Sequence, residues 1–435
     1  MVQNPDSPIF DTTALDFEWW DNAYAKWLLT QGWQCTRVVD IVKRLAEILL
    51  ETEIPLFRLR ITVRILHPMV TAVDYTWEKG SRMVTKVEVP HSVTQSEAYL
   101  NSPFFSIFEG AGGIRRRLDL PDTVLDYPIL EELRDRGATD YVAMPFKFSN
   151  GQINIITLTS DRPGGFGSTE LTQIYGMLPA LGRVLEPHAY RHIGRTLLDT
   201  YLGKHAGGRV LEGLIKRGDG EDIYAVLWFC DLRDSTALAD SMARRDLLNM
   251  LNDFFDCIAG SVLSNGGEVM QFIGDAVLAI FPIKDTRAAS MAPEDCPEHR
   301  RACRMAIQAA REAAARIEAL NAEYAKSGGP RLGYGIGLHL GEVTYGNIGV
   351  PERLQFTVVG TATNEVTRIE EECKVLGTSI LASAAFVRVL PDEWISLGFR
   401  SLRGVQNLHE IFALRDEEDN QLSGQASDAR QSSHR

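Results

Sequence analysis

Two aspartates stand where a carboxylate is costly. Asp231 closes the apolar run "IYAVLWFCDL" (223–232), and Asp275 interrupts "GGEVMQFIGDAVLAIF" (266–281). A strand-embedded carboxylate needs compensation, and a divalent cation is a common partner. If the two runs are neighbouring strands of one sheet, the acids converge. A pair of carboxylates, with phosphate oxygens completing the shell, suits Mg2+ or Mn2+. In the competing reading Asp231 caps the next helix and Asp275 fills a turn position, and spacing alone leaves both open.

The elements that must position these acids can be read around them. "EVMQFIGDAVLAIFP" is two short strands broken at Gly274-Asp275, the dipeptide of a tight turn, so Asp275 belongs at a hairpin tip. "TALADSMARRDLLNMLNDFFDCIAGSVLSNGG" has helical spacing and a Gly-Gly stop, and a charged insert follows to about residue 297. "EHRRACRMAIQAAREAAARIEALNAEYAKSGG" is an Ala-rich helix. "RLGYGIGLHLGEVTYGNIG" and "LQFTVVG" alternate like strands, and "TATNEVTRIEEECKVLG" returns to helix.

The chain has 435 residues, enough for two domains. Its net charge of −13 provides no general basic surface, which argues against nucleic acid as the main partner. Six cysteines without CxxC spacing read as reduced thiols; Cys296, His299 and Cys303 fit no standard zinc pattern. The acidic N-terminus is no signal peptide, and no run of about 18 apolar residues occurs. A soluble, cytoplasmic protein is expected.

Upstream, "RVVDIVKRLAEILLETE" reads as an amphipathic helix, and "LFRLRITVRILHP" and "AVDYTWEK" as strands. From "PILEELRDRGATDYVAMPFKFSNGQINIITLTSDRPGGFGSTEL" onward the order is helix, strand, turn, strand, loop, long helix. This pattern resembles the second half of a GAF-type sensory domain; no bound ligand follows from the match, which leaves open a small-molecule regulator and, as the alternative, a structural dimerisation module. The organisation expected is an extension over 1–35, a GAF-like α+β domain over 36–190, a helical linker over 191–220, a second α+β domain over 221–414, and a disordered polar tail over 415–435. In the linker, Leu197, Leu198 and Leu202 suggest helical segments able to pack on a second chain.

Over 223–414 the sequence resembles the catalytic domain of class III nucleotidyl cyclases. "FCDLRDST" is similar to the first metal motif, "FIGDAVLAIF" to the second, "GIGLHLGEVTYGNIG" to the central strand pair and "FTVVGTATNEVTRIE" to the transition-state motif. The resemblance implies a ferredoxin-like, mainly antiparallel sheet with packed helices. It makes Asp231, Asp275 and the backbone of Leu232 ligands of two Mg2+ or Mn2+ ions, with the turn Arg233, Asp234, Ser235, Thr236 cradling phosphates. Asn364 and Arg368, four apart on one helix face, orient the ribose and neutralise charge on the α-phosphate. Arg403 is placed near the terminal phosphates. Because the metal ligands and the transition-state residues face each other across an interface in this family, a homodimer is implied.

Two positions depart from the family's pattern. Adenylyl-specific members usually have lysine where this chain has Gln271, paired with aspartate or threonine where it has Thr357. An amide can donate to adenine N1 while Thr357 accepts from the amino group; rotated, it offers an oxygen to guanine. Threonine at 357 favours ATP, with GTP as the alternative. Asp234-Ser235 stands where the family more often has Gly-Phe. A carboxylate there repels a triphosphate unless it turns outward or meets an arginine. That admits a rival reading, a catalytically silent nucleotide sensor or dimerisation module. The expectation is an adenylate cyclase under the control of the N-terminal domain.

Overall fold

Runs of valine, isoleucine, leucine and aromatic residues form strands covered on both faces, and helices with apolar residues three and four apart supply the cover. The computed structural model describes residues 9–10, 22–283, 293–403 and 408–415. Most of the expected insert (284–292) and of the expected tail (416–435) lies outside the described residues. The chain divides into two units, Met1–Thr200 and Tyr201–Arg435.

The first unit contains β1 (Ile9–Phe10), α1 (Ala23–Thr30), α2 (Val38–Glu51), β2 (Arg58–Arg64), β3 (Val70–Glu78) and β4 (Thr85–Pro90). The short helices α3 (Glu97–Leu100) and α4 (Pro103–Phe108) follow, then β5 (Gly113–Arg117), α5 (Pro128–Asp135), β6 (Asp140–Lys147) and β7 (Ile153–Ser160). The last helix, α6 (Ser168–Leu202), ends two residues into the second unit. The strands make one antiparallel sheet in the order β1-β5-β6-β7-β2-β3-β4. A buried ion pair, Arg115 to Asp140 at 2.7 Å, ties β5 to β6.

The segment read as an N-terminal extension to residue 35 departs from that expectation. Asn22 caps α1 by accepting from the amides of Tyr24 and Ala25, and its own amide donates to the Gln173 carbonyl of α6 at 2.6 Å. Tyr24, Ala25 and Leu28 are buried in the core of the first unit. Eight residues of helix are too few for apolar periodicity to declare itself in sequence.

The second unit holds α7 (Lys204–Leu211), β8 (Gly220–Leu232), α8 (Ser235–Ser241), α9 (Arg244–Ser264), β9 (Glu268–Ile273), β10 (Ala276–Ile283) and α10 (Pro297–Ser327). Then come β11 (Tyr334–Val350), β12 (Arg353–Val359), α11 (Thr361–Leu376), β13 (Ile380–Ser383), α12 (Ala384–Val387), β14 (Trp394–Ser401) and β15 (Leu408–Leu414). Its sheet runs β14-β15-β13-β11-β8-β10-β9, with β12 also paired to β11. All pairings are antiparallel except β11 with β13. This is the mainly antiparallel α+β arrangement expected.

Trp228, Phe254 and Phe281 fill one face of the sheet beneath α9 and α10. Leu227, Phe229, Val343, Ala362 and Val366 fill the other beneath α11. Two differences from the sequence reading stand out. Leu202, Ala206, Val210 and Leu214 pack into that second cluster, so this part of the expected linker belongs to the second unit. The single helix expected after Asp231 is two, because Met242 and Ala243 are extended between α8 and α9.

Alpha11 approaches β11 closely because Gly337 has no side chain. A Cβ there would lie 2.6 Å from the Val366 carbonyl oxygen and 2.9 Å from the Glu370 amide nitrogen. Gly337→Ala should therefore lower stability by about 1–3 kcal/mol, the usual cost of overpacking. A urea unfolding midpoint unchanged from the parent would show that the helix is not seated at this distance.

Candidate functional site

Strands β8 and β10 are antiparallel neighbours, with Val277 opposite Cys230. Asp231 is the next residue along β8, and Asp275 lies in the turn just before β10. Gly274, at φ 64°, supplies the left-handed residue this tight turn needs. The two acids therefore meet at one end of the sheet.

Burial, and after it the charge of Asp275, pushes the Asp231 carboxyl up to about 6. Asp275 is also close enough to share a hydrogen bond with it, while the Leu232 amide, donating to Asp231 Oδ1 at 3.1 Å, pulls the other way. Two half-buried carboxyl groups at one end of the sheet, the Asp231 one disfavoured as a charge by burial and by Asp275, are hard oxygen donors that fit a divalent cation such as Mg2+ or Mn2+.

The turn after β8 carries Arg233, Asp234, Ser235 and Thr236. Arg233 is directed to the fold: its guanidinium donates to the Thr378 carbonyl beyond α11, and its stem packs on Gly333. Asp234 adopts the left-handed conformation, φ 56° and ψ 28°, which explains why a glycine suits this position. Its carboxylate turns outward to Lys374 Nζ at 3.2 Å, both groups being exposed. Ser235 and Thr236 begin α8.

Gln271 lies on β9 opposite Leu278, on the same hairpin as Asp275. Thr357 lies on β12, which contacts β9; its hydroxyl is buried and has no hydrogen-bond partner. Asn364 and Arg368 sit on α11, Asn364 exposed and Arg368 partly so. The Arg368 guanidinium is paired with Glu371 one turn on and not with Asp231 or Asp275. One chain thus brings together the two aspartates, and the elements carrying Gln271 and Thr357, but leaves the arginine with another partner. Arg403 is exposed in the turn after β14.

A residue missed in sequence is Glu370. It is buried on the sheet-facing side of α11, and burial followed by the charge of Asp231 pushes its carboxyl up to about 7. The available signal was an acid at helical spacing with the buried Val366 and Cys373, opposite a strand carrying glycines at alternate positions, Gly335 and Gly337.

Residues 222–404 match the family model described as the adenylate and guanylate cyclase catalytic domain. The second unit carries a catalytic domain of this family. The chain is 32% identical over 188 residues to adenylate cyclase 1 of Rhizobium meliloti (strain 1021), covering 42% of this chain and 26% of that protein. It is 32% identical over 166 residues to an adenylate cyclase of Anabaena cylindrica, covering 37% and 30% respectively. The chain thus spans roughly a quarter to a third of the length of these curated relatives. The crystal structure of the adenylyl cyclase CyaB from P. aeruginosa superposes with a TM-score of 0.40 at 20% identity, over 46% of this chain and 96% of that one. Among the described residues of this cyclase-containing chain, no helix is long and apolar enough to cross a membrane.

Two predictions test the site's electrostatics and backbone. Asp231 is protonated in the folded chain up to about pH 6 but ionises near 4 when unfolded. Its contribution to stability is therefore present on the acid side and lost as pH rises through that window, the reverse of a salt-bridged acid. With cations chelated, Asp231→Asn should gain in melting temperature relative to the parent between pH 5 and 7.5; a constant gap would mean an ordinary carboxyl. At position 234, Asp234→Gly should be at least as stable as the parent, since the exposed pair to Lys374 contributes about 0–1 kcal/mol. Asp234→Ala should be less stable than the glycine variant by about 1–2 kcal/mol. Equal denaturant midpoints for the two variants would contradict a left-handed residue.

Proposed function

We propose that the chain is an adenylate cyclase, acting as a cytoplasmic homodimer and controlled by its N-terminal unit. The observation that carries the catalytic reading is the convergence of Asp231 and Asp275 at the end of β8 and β10, beside a hairpin that also presents Gln271. Two bound Mg2+ or Mn2+ ions would supply Lewis-acid activation of the ribose 3′-hydroxyl and charge neutralisation on the triphosphate. Asp231 and Asp275 would hold those ions, with the Leu232 backbone adjoining. The 3′-hydroxyl, giving up its proton to water, would form the new ester bond to the α-phosphorus as the α–β phosphoanhydride bond breaks and pyrophosphate leaves.

Asn364 and Arg368 orient the ribose and offset charge on the α-phosphate. Pairing with Glu371 leaves Arg368 off its own chain's aspartates, which supports a site completed by a second chain. Phe272 and Ile273, half exposed beside the aspartate turn, give that second chain an apolar surface to cover. Residues Ser235 and Thr236 bind phosphate oxygens at the start of α8, and Arg403 serves the terminal phosphates.

Adenine is read by Gln271 and Thr357. The buried, unpartnered Thr357 hydroxyl is suited to accept from an exocyclic amino group, which adenine has at the position where guanine has a carbonyl. The outward turn of Asp234 to Lys374 weakens the sensor alternative, because the extra carboxylate is not aimed at the phosphate turn. The first unit, an antiparallel sheet covered by α2 and α6, is read as a GAF-like module for a small-molecule regulator.

The test is product formation by the full-length protein with ATP and GTP in parallel, each with Mg2+ and with Mn2+, resolved chromatographically. Cyclic AMP from ATP is expected, with turnover abolished in Asp275→Ala and in Arg368→Ala and partly restored when those two chains are mixed. Cyclic GMP as the main product would move the protein to guanylate cyclase. Nucleotide binding without any cyclic product would favour the sensor, and failed restoration by chains shown to exchange would sink the shared site.

A further inference from the structure

We propose that Glu370 is a positioning residue of the divalent-cation site, supplying a third carboxylate behind Asp231. The inference rests on the cyclase reading above. Glu370 is buried, 8% exposed, in space that β11 clears for it. A Cβ on Gly335 would lie 2.2 Å from Glu370 Oε1, and one on Gly337 would lie 3.2 Å from Glu370 Cβ. Gly335 is the register partner of Asp231, and directly opposed residues share a face of the sheet. The Glu370 carboxylate therefore occupies the face of the sheet on which Asp231 stands.

The groups whose charge it feels are Asp231 and Asp275 from the strands, Arg233 from the turn, and Glu371 from its own helix; Cys230 and Cys373 complete the surroundings. Of these only Arg233 is cationic; its charge favours the Glu370 carboxylate, but its guanidinium donates to the Thr378 carbonyl and forms no ion pair with Glu370. No ion pair to Glu370 forms among the described residues. A buried acid that forms no ion pair gains from a nearby cation, and the charge that acts on Glu370 most strongly is that of Asp231, one of the two residues that would hold one.

Among the described residues no three acids are close enough to ligate one metal directly. Glu370 therefore acts from outside the coordination shell, through its charge and through the hydration of the cation held by Asp231 and Asp275. Outer partners of this kind typically change metal affinity by about 10–100-fold. A residue that merely fills the glycine-lined space would behave differently, since glutamine has nearly the same volume and no charge.

The experiment is a Mn2+ titration of full-length, nucleotide-free protein followed by the EPR signal of free Mn2+. Glu370→Gln should weaken binding by about tenfold, with a urea midpoint equal to or above the parent's. Glu370→Asp, which keeps the charge but withdraws it by one methylene, should weaken binding by less. Asp275→Asn serves as the site control. Parent-like Mn2+ affinity in Glu370→Gln, with weakened binding in Asp275→Asn, overturns the role of Glu370 and leaves the site standing. If the glutamine variant does not fold, parent-like affinity in Glu370→Asp overturns the role as well. Equal binding by the parent and Asp275→Asn sinks the cation site, and Glu370's role with it.

Discussion

Two like charges held at the end of neighbouring strands set the terms for the rest of the catalytic unit. Asp231 and Asp275 are fixed by the register of β8 and β10, so neither can retreat without shifting a ladder whose other residues are buried on both faces. The cations on adjoining elements answer to other groups: Arg233 to the Thr378 carbonyl, Lys374 to Asp234, and Arg368 to Glu371. Among the described residues, no ion pair forms to either member of the aspartate pair. An arrangement that folding alone would disfavour is what a site for an external cation requires.

Much of this was legible in the sequence because the relevant signals are local. An acid closing a ten-residue apolar run and a Gly-Asp dipeptide between two strand-like pieces are each visible in a short window, and their register follows once the strands pair. What was not legible depends on partners far along the chain. The destination of Arg233 lies 145 residues away at Thr378. The left-handed Asp234 carries no signal of its own, since aspartate also favours ordinary turns. Glu370 reads as one more acid in an "EEE" run, and it is distinguished from Glu371 and Glu372 only by its spacing from Val366 and Cys373 and by the glycines of β11. Alpha1 escaped notice because an eight-residue helix is held by tertiary contacts such as Asn22 to Gln173.

Under the proposed reading, the organisation of the second unit also separates reading the base from doing the chemistry. Gln271 sits on the edge strand β9 and Thr357 on β12, whereas the aspartates stand at the ends of β8 and β10, the next strands inward from β9. With glutamine at position 271, burial and the charge of Asp275 remain the main influences on the Asp231 carboxyl. Under the proposed reading this partition lets base preference change while the cation site keeps its geometry, and an amide that both donates and accepts is the kind of side chain such a change passes through.

The same partition bears on why a single chain is an incomplete catalyst in this reading. Alpha11 turns Val366, Ile369 and Glu370 toward the sheet and leaves Asn364 and Arg368 on its outer side. Helical geometry forbids all five from serving one face: residues 364 and 368 share a stripe, and residue 370 points about half a turn away. Glu370 can thus belong to the aspartates of its own chain only because Arg368 does not. The arginine's outward position and the acid's inward one are two consequences of one helix, and under the proposed reading its two faces serve two different sites.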